Sequence, residues 1–155
     1  MRSGKDYLLI VGLSIIFMLI LLSYGFDNEY ISALEEPRRL AIIDKCKAEF
    51  DLIVPLFGAV EEKHNERGKS KSFLIGSIYL TESSYDEIFY HYDQQLLKNG
   101  WQHFYRDDHV QTLYGYHGGK IDKYAKGDIT ATIQFSGDRA GYGWDYSFSI
   151  RWSDW

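Results

Sequence analysis

Between Asp6 and Asp27 the chain carries twenty residues without a charge, Tyr7 to Phe26. As a helix rising about 1.5 Å per residue, that run is about 30 Å long, the thickness of a bilayer's hydrocarbon core. Tyr7 and Tyr24 fall near its two ends, where amphipathic rings favour the interface. Arg2 and Lys5 precede the run, whereas Asp27, Glu29, Glu35 and Glu36 follow it, with Arg38 and Arg39 farther out. The positive-inside rule then makes residues 1–6 a cytoplasmic tail, 7–26 a single transmembrane anchor, and the remainder extracytoplasmic. That address is periplasmic in a cell with an outer membrane and extracellular otherwise. The competing reading, a cleaved signal peptide, needs a small-x-small site, and Leu22-Ser23-Tyr24-Gly25 is a poor one. A lipid anchor is disfavoured too, because Cys46 lies far beyond the run, behind Ile43-Asp44-Lys45.

With 155 residues in all, the chain beyond the anchor suffices for one compact domain. Its formal charge is −5, from 17 Lys+Arg against 22 Asp+Glu, and no stretch supplies the basic face that phosphate neutralisation requires, so no nucleic-acid partner is expected. Cys46 is the single cysteine, which excludes an intrachain disulfide framework and a multi-thiolate zinc site. Cys46 itself reads as a small buried hydrophobe, since no basic cluster beside it would activate the thiol.

Residues 27–55 read as a spacer followed by a helix from Pro37 to about Val54. Leu40, Ile43, Phe50 and Ile53 recur at helical spacing, and Pro55 forces a stop. The domain proper is then 56–155. Leu56 to Val60 suits a strand, and charged Glu61 to Lys71 suits a solvated turn or loop. Ser72 to Thr81 reads as a central strand, with Phe73, Ile75, Ser77 and Tyr79 on one face. Ser84-Tyr85-Asp86-Glu87 is a capping box. It opens a helix whose Tyr85, Ile88, Phe89, Tyr92 and Leu96 form one stripe and which Gly100 ends. Trp101 to Arg106 and His109 to Tyr116 read as strands about an Asp107-Asp108 turn. Two cleaner strands follow: Ile129, Ala131, Ile133 and Phe135 alternate with polar residues, as do Trp144, Tyr146, Phe148, Ile150 and Trp152. Gly137 to Gly143 connects them. The expected fold is α+β: an antiparallel sheet of about four to six strands with one main packed helix, preceded by the single N-terminal transmembrane helix.

Tyr92-x-x-x-Leu96-x-x-x-Gly100-Trp101, entered through Ser84-Tyr85-Asp86-Glu87-Ile88 and followed by Lys126-Gly127-Asp128-Ile129-Thr130-Ala131-Thr132-Ile133, resembles a pattern in small bacterial membrane-anchored or exported proteins. The resemblance covers about Ser72 to Trp152. It implies an architecture and an extracytoplasmic address, and carries no catalytic residue across.

Chemistry-bearing motifs are sparse. His103, Asp107, Asp108, His109 and His117 gather around one expected hairpin, a set a first-row metal would accept, but solvation of a turn accounts for them. The glycine-rich segments match neither phosphate-loop nor dinucleotide fingerprints, and no Gly-x-Ser-x-Gly occurs. No cofactor, metal or catalytic residue is therefore assigned. The aromatic excess is more informative. Trp144 and Trp152 fall on the same side of the alternation as Phe148 and Ile150 and are expected inside, whereas Tyr114, Tyr116, Tyr142 and Trp155 are the candidates for a binding surface. The chain reads as an anchored, non-catalytic module contacting an envelope protein or a cell-wall ligand through a sheet face or edge. The alternative is an accessory subunit of a membrane complex, held through its transmembrane helix. An enzyme with dispersed site residues stays open.

Overall fold

A computed structural model describes residues 36–108, 111–112, 115–116, 119–137 and 139–154. The apolar run 7–26 lies outside them, and among the described residues no helix is long and apolar enough to cross a membrane. Helix α1 covers 36–51. From Ile42 onward the chain belongs to one compact unit. Strands β1 (Val60–Lys69) and β2 (Ser72–Leu80) precede helix α2 (Tyr85–Lys98) and strand β3 (Gln102–Asp107). The small strands β4 (Gln111–Thr112) and β5 (Gly115–Tyr116) then pair with each other, apart from the main sheet. Strands β6 (Lys120–Lys126) and β7 (Ile129–Phe135), the single-turn helix α3 (Arg139–Tyr142) and β8 (Tyr146–Ser153) complete the order.

Six strands form one sheet in the order β1-β2-β8-β7-β6-β3, every neighbouring pair antiparallel. The expectation of an α+β domain with an antiparallel sheet therefore holds. After the β1–β2 hairpin, α2 carries the chain across the sheet to its far edge, and the β3-β6-β7-β8 succession walks back until β8 closes against β2. Hairpins alone would leave β2 unpaired on one side. The last strand satisfies its backbone donors and acceptors.

Alternation decides which face is buried. Phe73, Ile75, Tyr79, Ile129, Ala131, Ile133, Tyr146, Phe148, Ile150 and Trp152 all lie on one face and are buried. The α2 stripe of Ile88, Tyr92 and Leu96 and the α1 residues Ile42 and Cys46 complete this core. Tyr92 stacks on Phe148 with centroids 4.9 Å apart, and Phe50 stacks on the same ring at 5.6 Å. Removing such rings from water contributes about 2–3 kcal/mol apiece. Gln95 fastens the chain after α1 to α2: its amide accepts from the Val54 N–H and donates to the Val54 carbonyl at 2.8 and 3.0 Å.

Several expectations are corrected. The charged segment expected as a loop is strand β1, because an edge strand needs only its one neighbour and can leave its side chains in water. Leu56 to Ala59 is a turn rather than a strand: the Ala59 N–H donates to the Leu56 carbonyl at 3.0 Å, and Gly58 takes φ +81°. Within the stretch expected as one strand, Gln111–Thr112 pairs with Gly115–Tyr116, and the strand that joins the sheet beside β3 is β6. Trp152 is in the core, whereas Trp144 precedes β8 and is only half-buried.

Candidate functional site

The buried face is closed by ion pairs. Glu49 of α1 accepts from Trp101 Nε1 at 3.2 Å and from Lys126 Nζ, and Lys47 pairs with Glu66 of β1 at 2.7 Å. Asp122 of β6 is wholly buried and is met from three elements. Tyr85 of α2 donates its hydroxyl to Oδ2 at 2.5 Å, while His103 Nε2 and Arg106 Nε of β3 lie 2.9 and 2.8 Å from Oδ1. Burial raises the Tyr85 hydroxyl pKa, and the bond to Asp122 raises it further, so Tyr85 stays a donor. Surrounded by its donors and closed to solvent, Asp122 has no side left for a reactant. The cluster staples α2 to the β3 edge of the sheet. At the opposite end Arg139 holds Asp145 through Nε at 2.7 Å and Nη2 at 2.6 Å. The Thr81 amide donates to the same carboxylate at 2.7 Å. Burial opposes ionisation of Asp145, but these donors outweigh it and its pKa lies below the usual value.

The other face of the sheet differs in kind. Among the described residues no helix packs on it, and its cross-strand rows mix half-buried Leu74, Ile78, Leu80 and Ile121 with small hydroxyl residues. Ser72, Ser147, Ser149 and Ser153 come from β2 and β8, and Thr130 and Thr132 from β7. Gly76 forms part of this floor because an added Cβ would stand 2.6 Å from the Ser149 Cβ and 2.8 Å from the Phe148 carbonyl oxygen. Two shallow grooves cross the floor and share Arg151. One, about 470 Å³, is lined by Arg67, Lys69, Lys71, Ser72, Leu74 and Arg151. The other, about 390 Å³, is lined by Phe104, Tyr105, Lys123, Asp128, Thr132 and Arg151. Arg67, Lys69, Lys71 and Arg151 form no ion pair with any described carboxylate, in contrast to Lys47, Arg106, Lys126 and Arg139 on the closed side. Phe104 is 57% exposed and Tyr105 42%. Lys123 Nζ stands 4.9 Å from the Tyr105 ring centroid.

The residues singled out from sequence do not converge here. Tyr142 is half-buried in α3 with its ring 5.9 Å from that of Trp144. Of Tyr116 only the backbone, paired with Gln111, is described, and Tyr114 and Trp155 lie outside the described residues. The histidine-carboxylate set is divided by the sheet: His103 turns to Asp122 on the helix side, whereas Asp107 occupies a register position of the open face and lies 3.4 Å from the Tyr105 hydroxyl. His109 and His117 lie outside the described residues. Among those described, no group of three His, Cys, Asp or Glu side chains is placed to hold a metal ion. The open-face cations were missed because they come from three separate stretches, 67–71, 123 and 151, which only strand pairing brings together. The signal available was the polar half of the alternation in 130–134 and 147–153.

Compared with known proteins, the chain matches no family model, no curated protein and no solved structure.

Proposed function

We propose that this chain is a single-pass, membrane-anchored extracytoplasmic module that binds, without catalysis, a ligand or an envelope protein on the open face of its sheet. The observation that carries this reading is the contrast between the two faces. Lys47, Arg106, Lys126 and Arg139 on the helix side are paired with carboxylates, whereas Arg67, Lys69, Lys71 and Arg151 pair with no described carboxylate and line two grooves that share Arg151. Like charges held together repel, and an anionic or electronegative binder relieves that repulsion. Exposed Phe104 and Tyr105 add rigid contact area beside them.

The test replaces 7–26 by an unrelated apolar span of equal length and, separately, introduces Arg151→Glu, followed by capture of each from native membranes. A binder that survives the exchange of the span and is lost with Arg151→Glu supports the module. A binder lost only when the span is exchanged would make the chain an accessory subunit held through that span. Impermeant maleimide labelling of intact cells carrying Lys98→Cys checks the address, because Lys98 is exposed on α2. Labelling only after permeabilisation would overturn the extracytoplasmic assignment.

A further inference from the structure

Resting on the reading of the open face as the binding surface, we propose that its ligand is an acidic glycan, a linear chain of sugar rings bearing carboxylate or phosphate groups, laid across the strands from β1 to β3. Arg67 on β1, Leu74 on β2, Arg151 on β8 and Thr130 on β7 form one continuous cross-strand row. Thr132, Lys123 and Tyr105 form the next row toward β3. Neighbouring strands stand about 4.8 Å apart, so Arg67, Arg151 and Lys123, each two strands from the next, mark cations at intervals of about 10 Å across the sheet. A track of spaced charges suits a polymer that carries its anions at intervals, and Lys69 and Lys71 strengthen the β1–β2 end.

Three further features select sugar over a bare polyanion. The floor around the cations is Leu74 between Arg67 and Arg151, with Ser72, Ser149, Ser153, Thr130 and Thr132 beside it, hydroxyl side chains small enough for a ring to lie close and able to exchange hydrogen bonds with hydroxyls. Tyr105 and Phe104 stand exposed at the β3 end, where an aromatic plane can stack on the apolar face of a pyranose. Asp128, in the β6–β7 turn, lines that same end. Its carboxylate can accept from a sugar hydroxyl, a donor that a bare polyphosphate lacks. Against a net charge of −5 over the whole chain, the two grooves gather Arg67, Lys69, Lys71, Lys123 and Arg151 on one face.

The test uses the full chain in nanodiscs of neutral lipid. Calorimetric titration with oligogalacturonate supplies carboxylates on sugar, and a phosphomannan oligosaccharide supplies phosphates on sugar. Dextran is the neutral glycan, and polyphosphate and single-stranded DNA are polyanions of other kinds. The proposal expects one or both acidic glycans to bind above all three others, more weakly as salt rises. Arg151→Gln and Tyr105→Ala are each expected to weaken that binding by about tenfold, the scale of one lost charge-assisted or stacking contact. Lys98→Gln, which removes an exposed cation on α2, leaves it unchanged. Which acidic glycan binds tells carboxylate from phosphate. Binding of polyphosphate or DNA at least as tight as the glycans, or indifference to Tyr105→Ala, overturns the proposal, as does dextran binding equally well. Absence of binding to all five polymers also overturns it. In that case a captured binder that still depends on Arg151 leaves the open-face module standing with a partner of another kind.

Discussion

Gly76 lies on central strand β2 against β8, and its missing side chain is a packing requirement rather than a turn device. An alanine there would place its Cβ 2.6 Å from the Ser149 Cβ and 2.8 Å from the Phe148 carbonyl oxygen, and neither neighbour can retreat because β8 is paired on both sides. We expect Gly76→Ala to cost about 3 kcal/mol, at the upper end of ordinary overpacking. Urea unfolding followed by tryptophan fluorescence checks this, and a cost below about 1 kcal/mol would show that the sheet gives way. Cys46 is wholly buried on α1, and burial pushes its thiol up to about 11. The folded thiol therefore reacts with a disulfide reagent at pH 8 only as fast as the chain opens, whereas in urea it reacts at once. The linkage has a definite sign. A folded-state pKa above the unfolded one holds the proton on the native thiol, so this contribution is lost as pH rises from about 9 towards about 11.

At the scale of elements, α2 starts where the sequence says it does. The Ser84 Oγ accepts from the Glu87 N–H at 3.4 Å, and the Glu87 carboxylate accepts from the Ser84 N–H at 2.8 Å. Those bonds from Ser84, led by its backbone amide, hold the Glu87 pKa below the usual value. Ser84→Ala is expected to lower stability by about 1 kcal/mol, read by thermal unfolding, while Ser84→Asp retains most of it. All the signals for this helix are local: a cap, a stripe at helical spacing, and Gly100 at φ +81° behind the last turn. Strand β6 carries no comparable signal. Its inward positions include Asp122, a charge that local pattern assigns to water and that is buried only because Tyr85, His103 and Arg106 arrive from elsewhere in the chain. Strand β1 is opaque for the opposite reason, since its side chains are almost all exposed and its extended form comes from pairing with β2.

For the molecule as a whole, acid stability tests the clamp that closes the β7–β8 connection. Asp145 takes two bonds from Arg139 and one from the Thr81 amide, while its own N–H donates to the Tyr79 carbonyl. Its folded pKa lies below the unfolded value of about 3.8, so the native state holds the charge while the unfolded chain takes up the proton. That contribution is fully present above about pH 5 and is lost as pH falls below about 4. The melting temperature should decline over that window, and Asp145→Asn should lower the neutral-pH value while flattening the decline. A decline as steep in Asp145→Asn as in the parent chain would assign the acid sensitivity to other carboxylates. Charge is also divided by location. Lys126, Lys47, Arg106 and Arg139 are neutralised by Glu49, Glu66, Asp122 and Asp145, whereas Arg67, Lys69, Lys71 and Arg151 of the open face pair with no described carboxylate.

Sequence by itself determined the α+β class, the antiparallel sheet, helix α2 with its cap and end, the central place of Ser72 to Leu80, and the burial of Cys46 and Trp152. Each is written in neighbouring residues, as a period of two, a period near 3.6, or a capping pair, so no distant contact is needed to read it. The tertiary structure alone decided that β8 lies between β2 and β7, that Asp122 is an interior group, and that Arg67, Arg151, Lys123 and Tyr105 share one surface. Those facts depend on strand pairing between residues up to about eighty positions apart. A hydrogen-bonded ladder sets such neighbours through backbone groups that every residue carries alike, and so it leaves little trace in side-chain pattern.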